Sequence, residues 1–219
     1  MEAARTTNTI EIEGSTTSRP SSLKPKFAPL KAHEIYSGDV QFKTVTVPPH
    51  RYTPLKKAWL DIFTPIDEKM HIDIKFNPKT RTVALKTRHD TPEVNNLQKS
   101  ADFVHAFTLG FDIEDAIILL KADDFYVGYL IVDEVKRLNG EHLSRAISRL
   151  SGKGGKTKFS IENATKTRIV IANTNIYILG SYKNIEVAKH ALCSLILGSL
   201  AAKVYSKLRA VSARLAERL

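Results

Sequence analysis

Sulfur is scarce in this chain: a single cysteine, Cys193, and two methionines stand among its 219 residues. One thiol excludes an internal disulfide framework and suits a reducing compartment. Long apolar runs are missing as well. The longest, Leu195 to Ala202, is interrupted by Gly198 and Ser199 and falls far short of the about 20 residues that span a bilayer as a helix. The N-terminal residues contain no basic-then-apolar pattern, so no secretory leader is expected. The seven histidines are scattered, and no His/Cys pairing has metal-ligand spacing, so neither a metal nor a cofactor is expected. Catalytic groupings are also wanting. Asp123-Asp124 and the Asp112/Glu114/Asp115 group have no organised base, nucleophile or metal partner, and helix starts and loop solvation account for them. No enzyme activity is expected.

What the chain has in excess is positive charge. Its formal net charge is +10, while 42% apolar residues suffice for a real core. The excess is uneven. Between Lys136 and Arg168 nine basic residues (136, 137, 145, 149, 153, 156, 158, 166 and 168) face two acids, Glu141 and Glu162. Clustering of this kind marks a surface for polyanions; a merely solvated face would give it too.

The densest part of that stretch has a definite order. Leu143, Ala146, Ile147 and Leu150 recur at helical spacing, placing them on one face. The pattern stops at Gly152-Lys153-Gly154-Gly155, where three of four residues lack a side chain and the main chain is free to approach a ligand. Lys156-Thr157-Lys158 reads as the first turn of a second helix, ending around Asn163 to Thr165, whose unpaired N-terminal amides favour a phosphate. Arg168 to Ala172 is a β-branched run suited to a strand. Gly155-Lys156-Thr157 imitates the end of a P-loop, but that motif needs glycine where Leu150 stands, and it follows a strand rather than a helix. The nucleotide-binding reading fails on both counts. Helix, GxxG, helix, strand is instead the order of the KH module, whose GxxG loop clamps single-stranded RNA.

The same order occurs once more upstream. Residues 1–39 are rich in Thr, Ser and Pro without periodicity and are expected to be disordered when alone. From 40 to 124 a first domain is expected: a strand through Val40, Phe42, Val45 and Val47, a helix through Leu55, Ala58, Trp59, Ile62 and Phe63, strands carrying Ile72 to Phe76 and Val83 to Leu85, and a helix from about Thr91 to Leu109. Phe111 to Leu120 reads as a linking helix. The second domain, 125–200, opens with a strand from Tyr126 to Val135. After the GKGG block, the Arg168 strand pairs through Asn173-Thr174-Asn175 with Ile176 to Leu179, Gly180 ends that strand, and Asn184 caps a helix through Leu195. Strand, helix, strand, strand, helix thus appears twice. The first copy lacks Gly between Phe63 and Ile72 and has too few residues there for a turn and a second helix. Residues 201–219 form a basic amphipathic helix, with Lys203, Lys207, Arg209, Arg214 and Arg218 among Val204, Leu208, Val211 and Leu215.

The block from Gly140 to Ser199, followed by Lys203 to Leu219, resembles the partner-of-Nob family, KH-domain assembly factors of the small ribosomal subunit in eukaryotes and archaea. The resemblance extends from about Val40 to Leu219. It implies an α+β fold of two tandem type I KH-like domains, the first without its GxxG loop, flanked by a disordered N-terminal tail and a C-terminal basic helix. It implies binding of pre-rRNA near the 3′ end of the small-subunit rRNA, help in the endonucleolytic maturation of that end, and association with the PIN-domain endonuclease, small-subunit ribosomal proteins and other assembly factors. It also implies residence in nucleolus and nucleus, with shuttling to the cytoplasm. The tail is similar to those of the eukaryotic members, though shorter and less acidic.

On this reading the bare backbone of Gly152, Gly154 and Gly155, with Lys153, meets phosphates, and Lys156 and Lys158 add screened attraction. Ile147, Ile161, Ile169 and Ile171 are expected to floor a groove for about four bases, ordinary core being the competing explanation for each. Arg145, Arg149 and Arg168 are expected to reach phosphates or base edges, unless they serve solubility alone. The C-terminal helix either docks in a ribosomal protein or rRNA groove or packs on its own domain. Cys193, on an apolar helix face, is expected to be buried and inert. The alternative to RNA binding is a protein-interaction scaffold whose KH surface contacts proteins.

Overall fold

The computed structural model describes residues 40–93 and 95–216. The expected disordered tail, 1–39, lies outside them, as do Arg218 and the side chain of Leu215. The first half runs β1 (Phe42–Thr46), α1 (Pro49–Lys57), α2 (Trp59–Met70), β2 (Ile72–Asn77), β3 (Thr82–Thr87) and α3 (Asn95–Leu109). Two one-turn helices, α4 (Ile113–Ala116) and α5 (Ile118–Lys121), lead to the second half. There β4 (Phe125–Ile131), the one-turn α6 (Val132–Val135), α7 (Glu141–Ser151), α8 (Lys156–Thr165), β5 (Arg168–Ala172), β6 (Asn175–Ser181) and α9 (Tyr182–Ile196) follow in turn. The last element is α10 (Ala201–Ala216).

Each half builds one antiparallel three-stranded sheet, and the orders β1-β3-β2 and β4-β6-β5 are the same order repeated. In each, the third strand in sequence pairs with both others, leaving β1 and β2 of one sheet and β4 and β5 of the other as outer strands. Strand periodicity explains the layering. In β6, Ile176 and Ile178 enter the core beneath α7, α8 and α9, whereas Leu179 and the half-buried Tyr177 join the core of the first half. Val127 and Val170 pack against that first core too. The second sheet is therefore covered on both faces, and residues 40–216 belong to one compact unit.

Four expectations change. The helix expected through Leu55 to Phe63 is two helices broken at Ala58 (φ −96°, ψ 17°), so the first half does contain the helix pair denied to it. Leu55 and Ile62 are both fully buried and lie seven residues apart, which one continuous helix would also satisfy. A break that uses neither glycine nor proline leaves no mark in the pattern. The strand expected to reach Val135 stops at Ile131, its last four residues forming a helical turn. Gly180 does not end β6. It lies inside the strand, where a Cβ would stand 2.7 Å from the Thr167 methyl carbon. Finally, Ser181 rather than Asn184 occupies the cap position of α9, Asn184 falling in its first turn.

Candidate nucleic-acid interface

The GKGG bend forms because α7 cannot continue past Gly152. The Gly152 amide closes the helix on Ser148 O at 2.8 Å, and the residue then adopts φ 73°, ψ 175°. A Cβ there would lie 2.2 Å from the Thr157 hydroxyl and 2.8 Å from the Thr157 amide nitrogen. The requirement is thus steric as well as conformational. Lys153–Gly155 makes a single tight turn, with Gly154 at φ 64° and Gly155 at φ 77°. Within it Gly155 N–H donates to Gly152 O at 3.2 Å, and Lys156 N–H to Lys153 O. Among the described residues the amides of Lys153 and Gly154 have no backbone acceptor. The expectation that amides from 152 to 155 all face a ligand narrows to these two adjacent donors. Consecutive main-chain N–H groups in such a turn form an anion-binding concavity. The side chains of Lys153 and Lys156 are exposed beside them.

The other expected side chains divide. Arg145 is exposed on α7, about two turns before the bend, and pairs with Glu141 at 2.7 Å, one helical turn away, a contact worth about 0.3–0.5 kcal/mol in such a setting. Arg149, also exposed, has a guanidinium nitrogen 3.4 Å from where a Cβ of Gly198 would stand, between α9 and α10. Lys158 is half-buried and lies 3.7 Å from Glu162, so part of its charge is already answered. Glu162 is itself buried, and its Oε1 accepts the Ile169 amide at 2.7 Å, fastening α8 to β5.

Three expected contacts are corrected, two by burial and one by strand alternation. Ile169 is 1% exposed and Ile161 is wholly buried, so both belong to the core beneath the groove rather than to its surface. Ile171 is half-buried at the edge of the same core, Ile147 is half-buried on α7, and both remain accessible from outside. Arg168 lies on the opposite face of β5, beside Val170, and its Nε donates to Asp115 Oδ1 at 2.8 Å. That contact raises the Arg168 pKa above its ordinary value, chiefly through the hydrogen bond. Arg168 thus ties the second sheet to α4 of the first half.

Two features went unread in the sequence. Phe159 is 61% exposed on the outer face of α8, one turn from Lys156. An aromatic residue in the polar run Lys156 to Ser160 was the available signal. The second is a brace: Tyr205 of α10 donates its hydroxyl to Thr157 Oγ1 at 3.0 Å. Thr157 is buried directly under Gly152, so the C-terminal helix supports the bend from behind. Of the two roles left open for that helix, packing on its own half is the one observed, through Val204 and Leu208.

Two antiparallel sheets of identical strand order, each with a helix pair beside its outer strand and one with a GxxG bend between those helices, define a KH protein of type I. A family model described as the eukaryotic-type KH domain (KH domain type I) matches residues 129–213. The chain is 52% identical over 195 residues to the RNA-binding protein PNO1 of Oryzias latipes, covering 89% of this chain and 80% of that one. It is 51% identical over 197 residues to the pre-rRNA-processing protein PNO1 of Phaeosphaeria nodorum, covering 90% and 75%. Crystalline Dim2p from Pyrococcus horikoshii has a similar fold, with a TM-score of 0.67 at 26% identity over 77% of this chain and 98% of that one. The chain belongs to the PNO1 family.

Proposed function

We propose that this chain is an RNA-binding assembly factor of the small ribosomal subunit, holding single-stranded pre-rRNA at the GKGG bend. The observation that carries the reading is the pair of adjacent amides at Lys153 and Gly154, free of backbone acceptors and flanked by the exposed ammonium groups of Lys153 and Lys156. Side chains would keep a phosphate away from those amides, and here Gly152, Gly154 and Gly155 have none. Charge attraction then adds a salt-sensitive, sequence-independent share of the affinity. The half-buried Ile147 and Ile171 supply the apolar floor for bases. Phe159 offers a ring on which one further base stacks, and Arg145 lies within reach of the strand leaving the bend. The relatives named above as RNA-binding and pre-rRNA-processing proteins support the same substrate class.

The strand held is proposed to lie near the 3′ end of the small-subunit rRNA. The role is to present that end to its PIN-domain endonuclease, alongside small-subunit ribosomal proteins and other assembly factors, in nucleolus, nucleus and cytoplasm. The chain's own part is binding and placement; no step of bond cleavage is assigned to its residues. Crosslinking the protein to total cellular RNA and sequencing the sites tests the reading. Sites concentrated beside that 3′ end are expected, and crosslinks scattered over messenger RNA with none in pre-rRNA would contradict it.

A further inference from the structure

The first half has no GxxG, yet it retains the position such a bend would serve. The end of α1, the start of α2 and the outer strand β2 stand as the end of α7, the start of α8 and the outer strand β5 stand in the second half. Between them lies an open groove of about 400 Å3 lined by Leu55, Lys56, Trp59, Ile74, Lys75 and Phe76. Its floor is aromatic. The Phe76 ring centroid is 5.9 Å from that of Trp59 and 5.5 Å from that of Tyr52, both tilted by about 50°. All three rings are only half-buried, so ring surface remains open to a ligand.

Its rim is basic. Lys56 and Lys75 line the groove with no acid among the lining residues, while Lys57 and Lys79 are exposed in the adjoining segments. None of these four lysines is in an ion pair among the described residues. Because among the described residues β2 pairs only with β3, its outer edge there presents main-chain N–H and C=O groups without a strand partner. Aromatic faces, unpaired lysines and free edge groups together suit a chain that carries flat bases and negative charge.

We propose that this groove is a second surface for single-stranded RNA. It differs from the GKGG surface in mechanism. Ala58, the residue joining the two helices, is not a glycine, and its amide is already given to Pro54 O at 3.0 Å, so the joint lacks the bare, unpaired backbone of the GKGG bend. Bases stack on Trp59 and Phe76, and the lysines hold the phosphates. The inference does not require that the GKGG bend bind RNA.

Trp59 is the sole tryptophan of the chain, so its fluorescence reports this groove alone. The full chain is titrated with a twelve-residue oligouridylate while tryptophan emission is followed, and polyglutamate serves as a non-nucleic polyanion. Saturable quenching is expected, persisting in Lys153→Asp/Gly154→Asp and weakened about tenfold in apparent affinity by Lys56→Glu/Lys75→Glu. Both lysines are exposed and unpaired, so thermal unfolding of that variant should match the parent. Unchanged emission at saturating RNA overturns the proposal. So does quenching that disappears with the GKGG substitution or survives the lysine substitution. Equal quenching by polyglutamate also overturns it, in favour of an acidic protein ligand.

Discussion

At Gly152 an added methyl group would meet both the hydroxyl and the amide of Thr157, one of them at 2.2 Å, while the backbone is already at φ 73°. Gly152→Ala should therefore lower the unfolding free energy by about 2 kcal/mol or more, measurable by urea denaturation. A midpoint equal to the parent's would contradict the steric argument. Gly154 is different, since no described residue lies within 4 Å of its missing Cβ; aspartate there should cost only about 1 kcal/mol for the left-handed backbone. Cys193 offers a second test at this scale. It is half-buried rather than buried as expected, and that desolvation pushes its thiol pKa up, against a smaller opposing pull from Lys189. Alkylation by iodoacetamide at pH 8 should be several-fold slower than for a free thiol, reaching the free-thiol rate once urea unfolds the chain. The sequence distinguished these residues unequally. A glycine cluster beside lysines is legible, because few other needs produce it. That Ile171 borders the groove while Ile169 lies beneath it is not, because both share one face of β5 and only their depth differs.

Among the elements, α10 holds the bend in place through Tyr205 and Thr157. Tyr205→Phe removes that hydrogen bond and leaves a buried hydroxyl without its donor, at a cost of about 1 kcal/mol. It should also weaken binding of single-stranded RNA several-fold, because the turn above Thr157 loses its support. Unaltered affinity together with lowered stability would reduce α10 to a packing element. Periodicity located α7, α8 and β5 to within a residue or two, since amphipathic spacing, glycine stops and β-branched runs coincide there. It failed at Ala58, where the chain turns between two helices that bury Leu55 and Ile62 in one core. It failed again at Val132, where a hydrophobic run bends into a helical turn and the apolar pattern is unchanged. Tertiary packing decides both.

For the whole molecule, the second sheet lies between its own helices and the core of the first half. Leu179 is 3% exposed and is held there with Val127, Val170 and Tyr177. The Arg168–Asp115 pair ties the two halves at the surface. A chain cut to residues 125–219 would bare that apolar face, and it should associate or precipitate at concentrations where the full chain stays monomeric, as size-exclusion chromatography would reveal. A monomeric, cooperatively folding fragment would show that the halves are independent. Arg168→Ala, in contrast, should leave RNA affinity unchanged and reduce stability by no more than about 1 kcal/mol, both partners being partly solvated.

The account rests on main-chain recognition at the bend, and one measurement addresses it most directly: the affinity of the full chain for short single-stranded RNA, by fluorescence anisotropy at fixed salt, before and after Lys153→Asp/Gly154→Asp. A loss of about a hundredfold, with the thermal transition shifted by only a few degrees, is the predicted result. Affinity equal to the parent's, in a variant that is still folded, would contradict it.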